Sequence, residues 1–294
     1  MNFIRLATVA MTLTSVLIEP IQARPGRCGS HPSYEQVKID EASFQEKKNL
    51  SKAKQSALNL NVVIPVHWHA IQSGDSLAEG HIPESQVIDS IKVLNEDYAT
   101  TGFSFKLESA NYVTNATWFE AAGPDTDYPE RVYQTEMKGK LHQGNATTLN
   151  IYTVGFTNIS DPRLLGYATF PKSYIMDPLD DGVVILYSTV PGGSSDPNNL
   201  GRTLTHEVGH WMNLYHTFSE SCDDDGDFVD DTPAQLNSTK GCPTVAPDSC
   251  PGRPGRDPIH NYMDYSSDIC LTEFTPGQIR RMQESFISFR IDSA

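Results

Sequence analysis

His206 and His210 lie four residues apart. On a helix that spacing puts both imidazoles on one face, one turn apart. Neutral imidazole is a good zinc ligand at about 2.0–2.1 Å. Glu207, next to His206 in sequence, then projects beside the metal site as a carboxylate able to take a proton from water. His216 follows six residues after His210. A continuous helix would carry it too far along the axis, so the helix must end and turn between them. Asn213 sits where that turn is needed, and Asn is the side-chain-bearing residue that best tolerates positive φ. Three protein ligands leave the fourth zinc position open, as catalysis requires. Structural zinc sites close with four ligands and more cysteine, which argues against an adhesion module keeping zinc for structure alone. The chemistry expected is hydrolysis: Zn²⁺ activates water as a Lewis acid, Glu207 accepts its proton, and no Ser or Cys nucleophile is needed.

The run His206-Glu-Val-Gly-His-Trp-Met-Asn-Leu-Tyr-His216 resembles the pappalysin (cytophagalysin) family of metzincin metalloproteases, with Asn213 where that family has Gly. Asn261-Tyr-Met-Asp-Tyr265 is similar to the family's Met-turn, and the likeness continues through Ser266–Cys270 and Phe274–Gln278. The resemblance implies a zinc endopeptidase acting on protein and peptide substrates. It implies that Met263 forms an apolar floor beneath the metal, and that Tyr265 faces the metal and helps stabilise the oxyanion.

The stretch from about residue 215 to 260 is rich in Asp, Gly, Pro, Ser and Cys, with almost no periodicity. A loop that long needs cross-links in place of a core. Cys222, Cys242, Cys250 and Cys270 permit three disulfide pairings, among which sequence physics does not choose. The family resemblance implies the crossed one, Cys222 with Cys250 and Cys242 with Cys270. Six aspartates crowd residues 223–231. Their repulsion would be relieved by a hard cation, making Asp223, Asp225 and Asp227 candidate calcium ligands; the alternative is a solvated acidic loop. A fifth cysteine, Cys28, stands in Arg27-Cys28-Gly29, a triplet that resembles the cysteine switch of latent metalloproteases. There a thiolate fills the open zinc position; the alternative is an unpaired thiol.

Several elements must position these groups. Residues 60–71 are β-branched and apolar, a strand whose Pro65 suggests an irregular or edge position. Apolar spacing predicts a helix over 82–98. Strands are expected over 103–107, 112–119, 149–154, 165–170 and 182–187, and helices over 129–141, 202–214 and 276–289. The fold class expected is α+β, like a metzincin zincin. A twisted mixed sheet with two long helices precedes an irregular, disulfide-stapled C-terminal subdomain ending in a helix.

The N-terminus reads as a targeting signal. One positive charge in residues 1–5 precedes a short apolar run, so residues 1–23 are expected to be a signal peptide, too short to span a bilayer. Residues 24–58 are polar with little apolar periodicity, an extended pro-segment or loose arm, and 59–294 form the catalytic domain. Export agrees with the cysteine usage and with five sequons, at Asn49, Asn115, Asn145, Asn158 and Asn237. Secretion without a membrane anchor is therefore expected. A net charge of -15 argues against nucleic acid as a partner.

Overall fold

The computed structural model describes residues 27–55, 61–126 and 128–291. The expected signal peptide, residues 24–26 and 56–58 of the expected arm, and residues 59–60 of the expected catalytic domain lie outside them. The strands are β1 (Val62–Gln72), β2 (Phe103–Thr114), β3 (Leu149–Val154), β4 (Gly166–Ala168) and β5 (Val183–Leu186). They form one sheet in the order β2-β1-β3-β5-β4. All neighbours pair parallel except β4, which runs antiparallel to β5 and forms an edge. Pro65 is tolerated inside β1 beside a register shift between Val66 and His67.

The helices are α1 (Tyr34–Gln55), α2 (Glu84–Asp97), α3 (Ala116–Ala121), α4 (Glu130–Leu141), α5 (Arg202–Trp211) and α6 (Pro276–Ser285), the last continued by wider turns through Arg290. Alternation along the strands sorts their side chains to two faces. Ile64, Val66, Trp68, Ile151, Val183 and Ile185 pack with Leu94 of α2, Val208 of α5 and Met282 of α6. Tyr152, Val154 and Val184 pack on the other face with Phe119 of α3 and Met137 of α4. Residues 212–267 have no helix and only isolated bridges. Disulfides join Cys222 to Cys250 and Cys242 to Cys270 there, with Cα–Cα distances of 5.6 and 5.3 Å.

Two expectations are corrected. The loose arm is a 22-residue helix, α1. Its buried stripe is Val37, Glu41, Phe44 and Ser51, half of it polar, while Ile39 and Leu50 face solvent. An apolar-periodicity reading has nothing to detect in such a stripe. The strand expected over 112–119 is instead the end of β2 followed by α3. Asn115 stops the strand and caps the helix, its side chain accepting a hydrogen bond from the Trp118 backbone N–H at 3.1 Å.

Candidate active site

α5 carries the site. His206, Glu207 and His210 are all buried on it. The helix ends at Trp211, and Asn213 takes φ +82°, turning the chain so that His216 returns to the same point. The Nε2 atoms of His206, His210 and His216 lie 3.1–3.2 Å apart. His206 Nδ1 donates to the Tyr262 carbonyl at 2.7 Å and His210 Nδ1 to the Leu214 carbonyl at 2.8 Å. With their protons on Nδ1, these two rings aim Nε2 lone pairs at a common point shared with His216. Lone pairs this close repel unless a cation takes them. The spacing fits three ligands at about 2.0–2.1 Å around one near-tetrahedral zinc. Burial holds the rings neutral: His206 is pushed down to about 3, and His210 and His216 well below the ordinary range.

Cys28 completes the group. Its sulfur and the three Nε2 atoms all lie within 4.8 Å of one another. The Cys28 thiol is 3.3 Å from Glu207 Oε2 and is itself buried. Burial pushes Cys28 up and raises Glu207 to about 8. The segment is held at the edge of β4: the Gly29 N–H donates to the Gly166 carbonyl at 2.8 Å, and the Leu165 N–H to the Arg27 carbonyl at 2.7 Å. Arg27 lines a small cavity together with Cys28, Glu207, Tyr265 and Leu271. Its guanidinium donates to the carbonyls of Tyr265 at 2.7 Å and Ser266 at 2.9 Å and to the Asn198 side chain, with buried Asp268 at 3.8 Å. The Tyr265 hydroxyl lies 3.3 Å from His216 Nε2 and 2.9 Å from His31 Nε2.

Several supporting residues escaped the sequence reading. Met263 is fully buried, and its sulfur would lie closer than van der Waals contact to a Cβ at Gly209, so glycine there lets the Met263 side chain lie directly against α5. The available signal was a glycine inside a helix, which costs about 1 kcal/mol against alanine and needs a reason. Buried Asp97 of α2 accepts from Arg202, from Thr205 and, at 2.9 Å, from the Tyr262 hydroxyl, tying α2, the start of α5 and the Met263 turn together. Arg27 was read only as part of a triplet, not as a side chain with its own hydrogen-bond partners.

Other candidates are placed as follows. Asp223, Asp225 and Asp227 do not converge; among the described residues the His–Cys group is the one cluster of three or more metal-ligating side chains. Asp227 is buried, and its Oδ2 has no hydrogen-bond partner. Asp224 organises the loop, accepting from Ser219, Ser221 and Gly226. Asn49, Asn145, Asn158 and Asn237 are exposed and Asn115 is half-buried.

The chain is similar to known proteins in both sequence and fold. The family described as pregnancy-associated plasma protein-A matches residues 142–287. The chain is 41% identical over 272 residues to an extracellular metalloprotease of Pyricularia oryzae, covering 90% of this chain and 89% of that one. It is 46% identical over 233 residues to an extracellular metalloprotease of Arthroderma gypseum, covering 78% and 73%. Among solved structures, Tannerella forsythia promirolysin matches with a TM-score of 0.68 at 27% identity, covering 90% of this chain and 97% of that one. Mature mirolysin in complex with a cleaved peptide matches at 0.63 and 28%, covering 79% and 96%. Among the described residues, no helix is long and apolar enough to cross a membrane.

Proposed function

Since the chain belongs to the pregnancy-associated plasma protein-A family and is a zinc metalloprotease, we propose that it is a secreted endopeptidase made as a latent precursor. The convergence of three Nε2 atoms beside Glu207 carries the catalytic part. His206, His210 and His216 hold zinc, which when bound supplies Lewis acidity and makes water nucleophilic near neutral pH. Glu207 takes the proton of the attacking water and delivers it to the leaving amine. The Tyr265 hydroxyl donates to the oxyanion that develops on the scissile carbonyl. Secretion is supported by the extracellular relatives and the exposed sequons.

The seat of Arg27 supports a preference for basic residues next to the scissile bond. Two backbone carbonyls, Asn198 and a buried carboxylate suit a guanidinium or ammonium and disfavour an apolar side chain. Mapping the peptides released from a denatured protein mixture should find internal cuts flanked by Arg or Lys. Asp268→Ala should weaken that preference, because it removes the buried carboxylate 3.8 Å from the guanidinium. Cuts without basic flanks in the unaltered enzyme would remove this assignment.

Latency is supported by Cys28 sitting against Glu207 and the histidines, and by the promirolysin match reaching 90% of the chain where mature mirolysin reaches 79%. While the thiol holds that place, water cannot reach Glu207. Cys28→Ser should turn a nearly inactive full-length chain into one cutting at close to the processed enzyme's rate, because a hydroxyl is a far poorer zinc ligand than a thiolate. Equal rates for the intact full-length chain and its processed form would end the switch reading.

A further inference from the structure

At the turn that delivers His216, Asn213 Nδ2 is buried without a hydrogen-bond partner. The turn is held by Arg281 of α6. The Arg281 Nε donates to the Asn213 carbonyl at 2.8 Å, and its guanidinium lies 5.0 Å over the ring of Tyr215, one residue before His216. The other side of the same guanidinium is covered by α1. Its NH2 donates to Glu41 Oε2 at 2.7 Å, and Phe44 packs on it with its ring centroid at 4.9 Å. Both partners of the pair are largely buried, with side-chain exposures of 5% and 10%. Arg281 is thus clamped between the N-terminal helix and the segment carrying the third histidine.

We propose that Arg281 is a positioning residue for His216, and that Glu41 of α1 completes its grip, so that the N-terminal helix helps set the metal affinity of the site. A guanidinium can serve a carbonyl and a carboxylate at once because its donors are rigid and planar. With Glu41 absent, the same cation is buried with one face unpaired, and its hold on the Asn213 carbonyl competes with solvation. Groups that orient metal ligands from outside the coordination shell typically change metal affinity 10–100-fold. The inference rests on His216 being a zinc ligand.

The test is zinc competition against a chromogenic chelator, on the full-length chain carrying Cys28→Ser in every variant so that the thiol contributes no ligand, with circular dichroism to verify folding. Arg281→Ala should weaken zinc retention about 10–100-fold. Arg281→Lys, which keeps the charge but cannot serve both acceptors, should recover part of that loss. Glu41→Gln should fall in between, and Asp40→Ala, which cuts the separate α1 ion pair to Lys172, should leave zinc affinity unchanged. Should Arg281→Ala fail to fold, Arg281→Lys and Glu41→Gln carry the test. Zinc affinity equal to that of the Cys28→Ser parent in folded Arg281 variants, or equal losses in Glu41→Gln and Asp40→Ala, overturns the proposal. His216→Ala separates the two layers. If it leaves zinc affinity intact, the ligand assignment fails; if it weakens zinc while the Arg281 variants do not, only the positioning role fails.

Discussion

Glu207→Ala should bind zinc as the wild type does and cut peptides at least about 10²–10⁴-fold more slowly, the usual cost of losing one placed general base. The three imidazoles keep their partners, because His206 and His210 are oriented by the carbonyls of Tyr262 and Leu214 and not by Glu207. Folding should not suffer. The hydrogen-bond partner of the Glu207 carboxyl is the Cys28 thiol at 3.3 Å, in the N-terminal segment and not in the catalytic core. The measurement is casein or peptide cleavage beside a zinc assay on the same sample, both on protein freed of its N-terminal segment. Cleavage near the wild-type rate would assign the proton transfer to another group.

Arg290→Leu should cost about 3–5 kcal/mol of stability, the range for stripping one partner from a buried ion pair. Arg290 and Asp181 have no exposed side-chain surface. The guanidinium donates to Asp181 Oδ2 and to the carbonyls of Ala146 and Trp211, each at 2.9–3.0 Å, and lies 3.4 Å over the Trp211 ring. Trp211 Nε1 donates to the same carboxylate. The last turns of the chain are therefore bolted to the end of α5, just past His210. With leucine at 290, Asp181 is left buried with the Trp211 and Thr169 donors and no cation hydrogen-bonded to it, Lys138 acting on it only at longer range. Adding Asp181→Asn should recover part of the loss, because the two residues act as one unit. Denaturant unfolding measures it; a loss under about 1 kcal/mol would mean that water reaches the pair and compensates it.

What was legible in the sequence was what local periodicity and short motifs encode. The helix with His206 and His210 declares itself by the four-residue spacing, and the positive φ at Asn213 was legible because the third histidine demands a turn there. β1, β3 and β5 were legible as apolar runs. α1 was not, because its buried stripe includes Glu41 and Ser51, and Glu41 finds its ionic partner only in Arg281, far along the chain. α3 was hidden because its short run reads as a continuation of the strand, and only the Asn115 cap separates the two. Within the site, the histidines, Glu207, Met263 and Tyr265 could be named in advance. Arg27, Asp268, Gly209, Arg281 and Arg290 could not, since each acts through residues far away in sequence. Asp223, Asp225 and Asp227 are close in sequence but form no shared cluster of ligating side chains among the described residues. Density of charge along the chain does not make carboxylates converge, and a loop can dissipate that charge into solvent and into its own backbone N–H groups.

The most direct test is elemental analysis for zinc on the purified processed chain, before and after a strong chelator, with peptide cleavage measured on the same samples. About one zinc per chain is expected, as an open three-histidine site would hold. Zinc and cleavage should disappear together on chelation, return together when zinc is added, and both fall in His216→Ala. Full-rate cleavage by protein shown to be free of metal would contradict it.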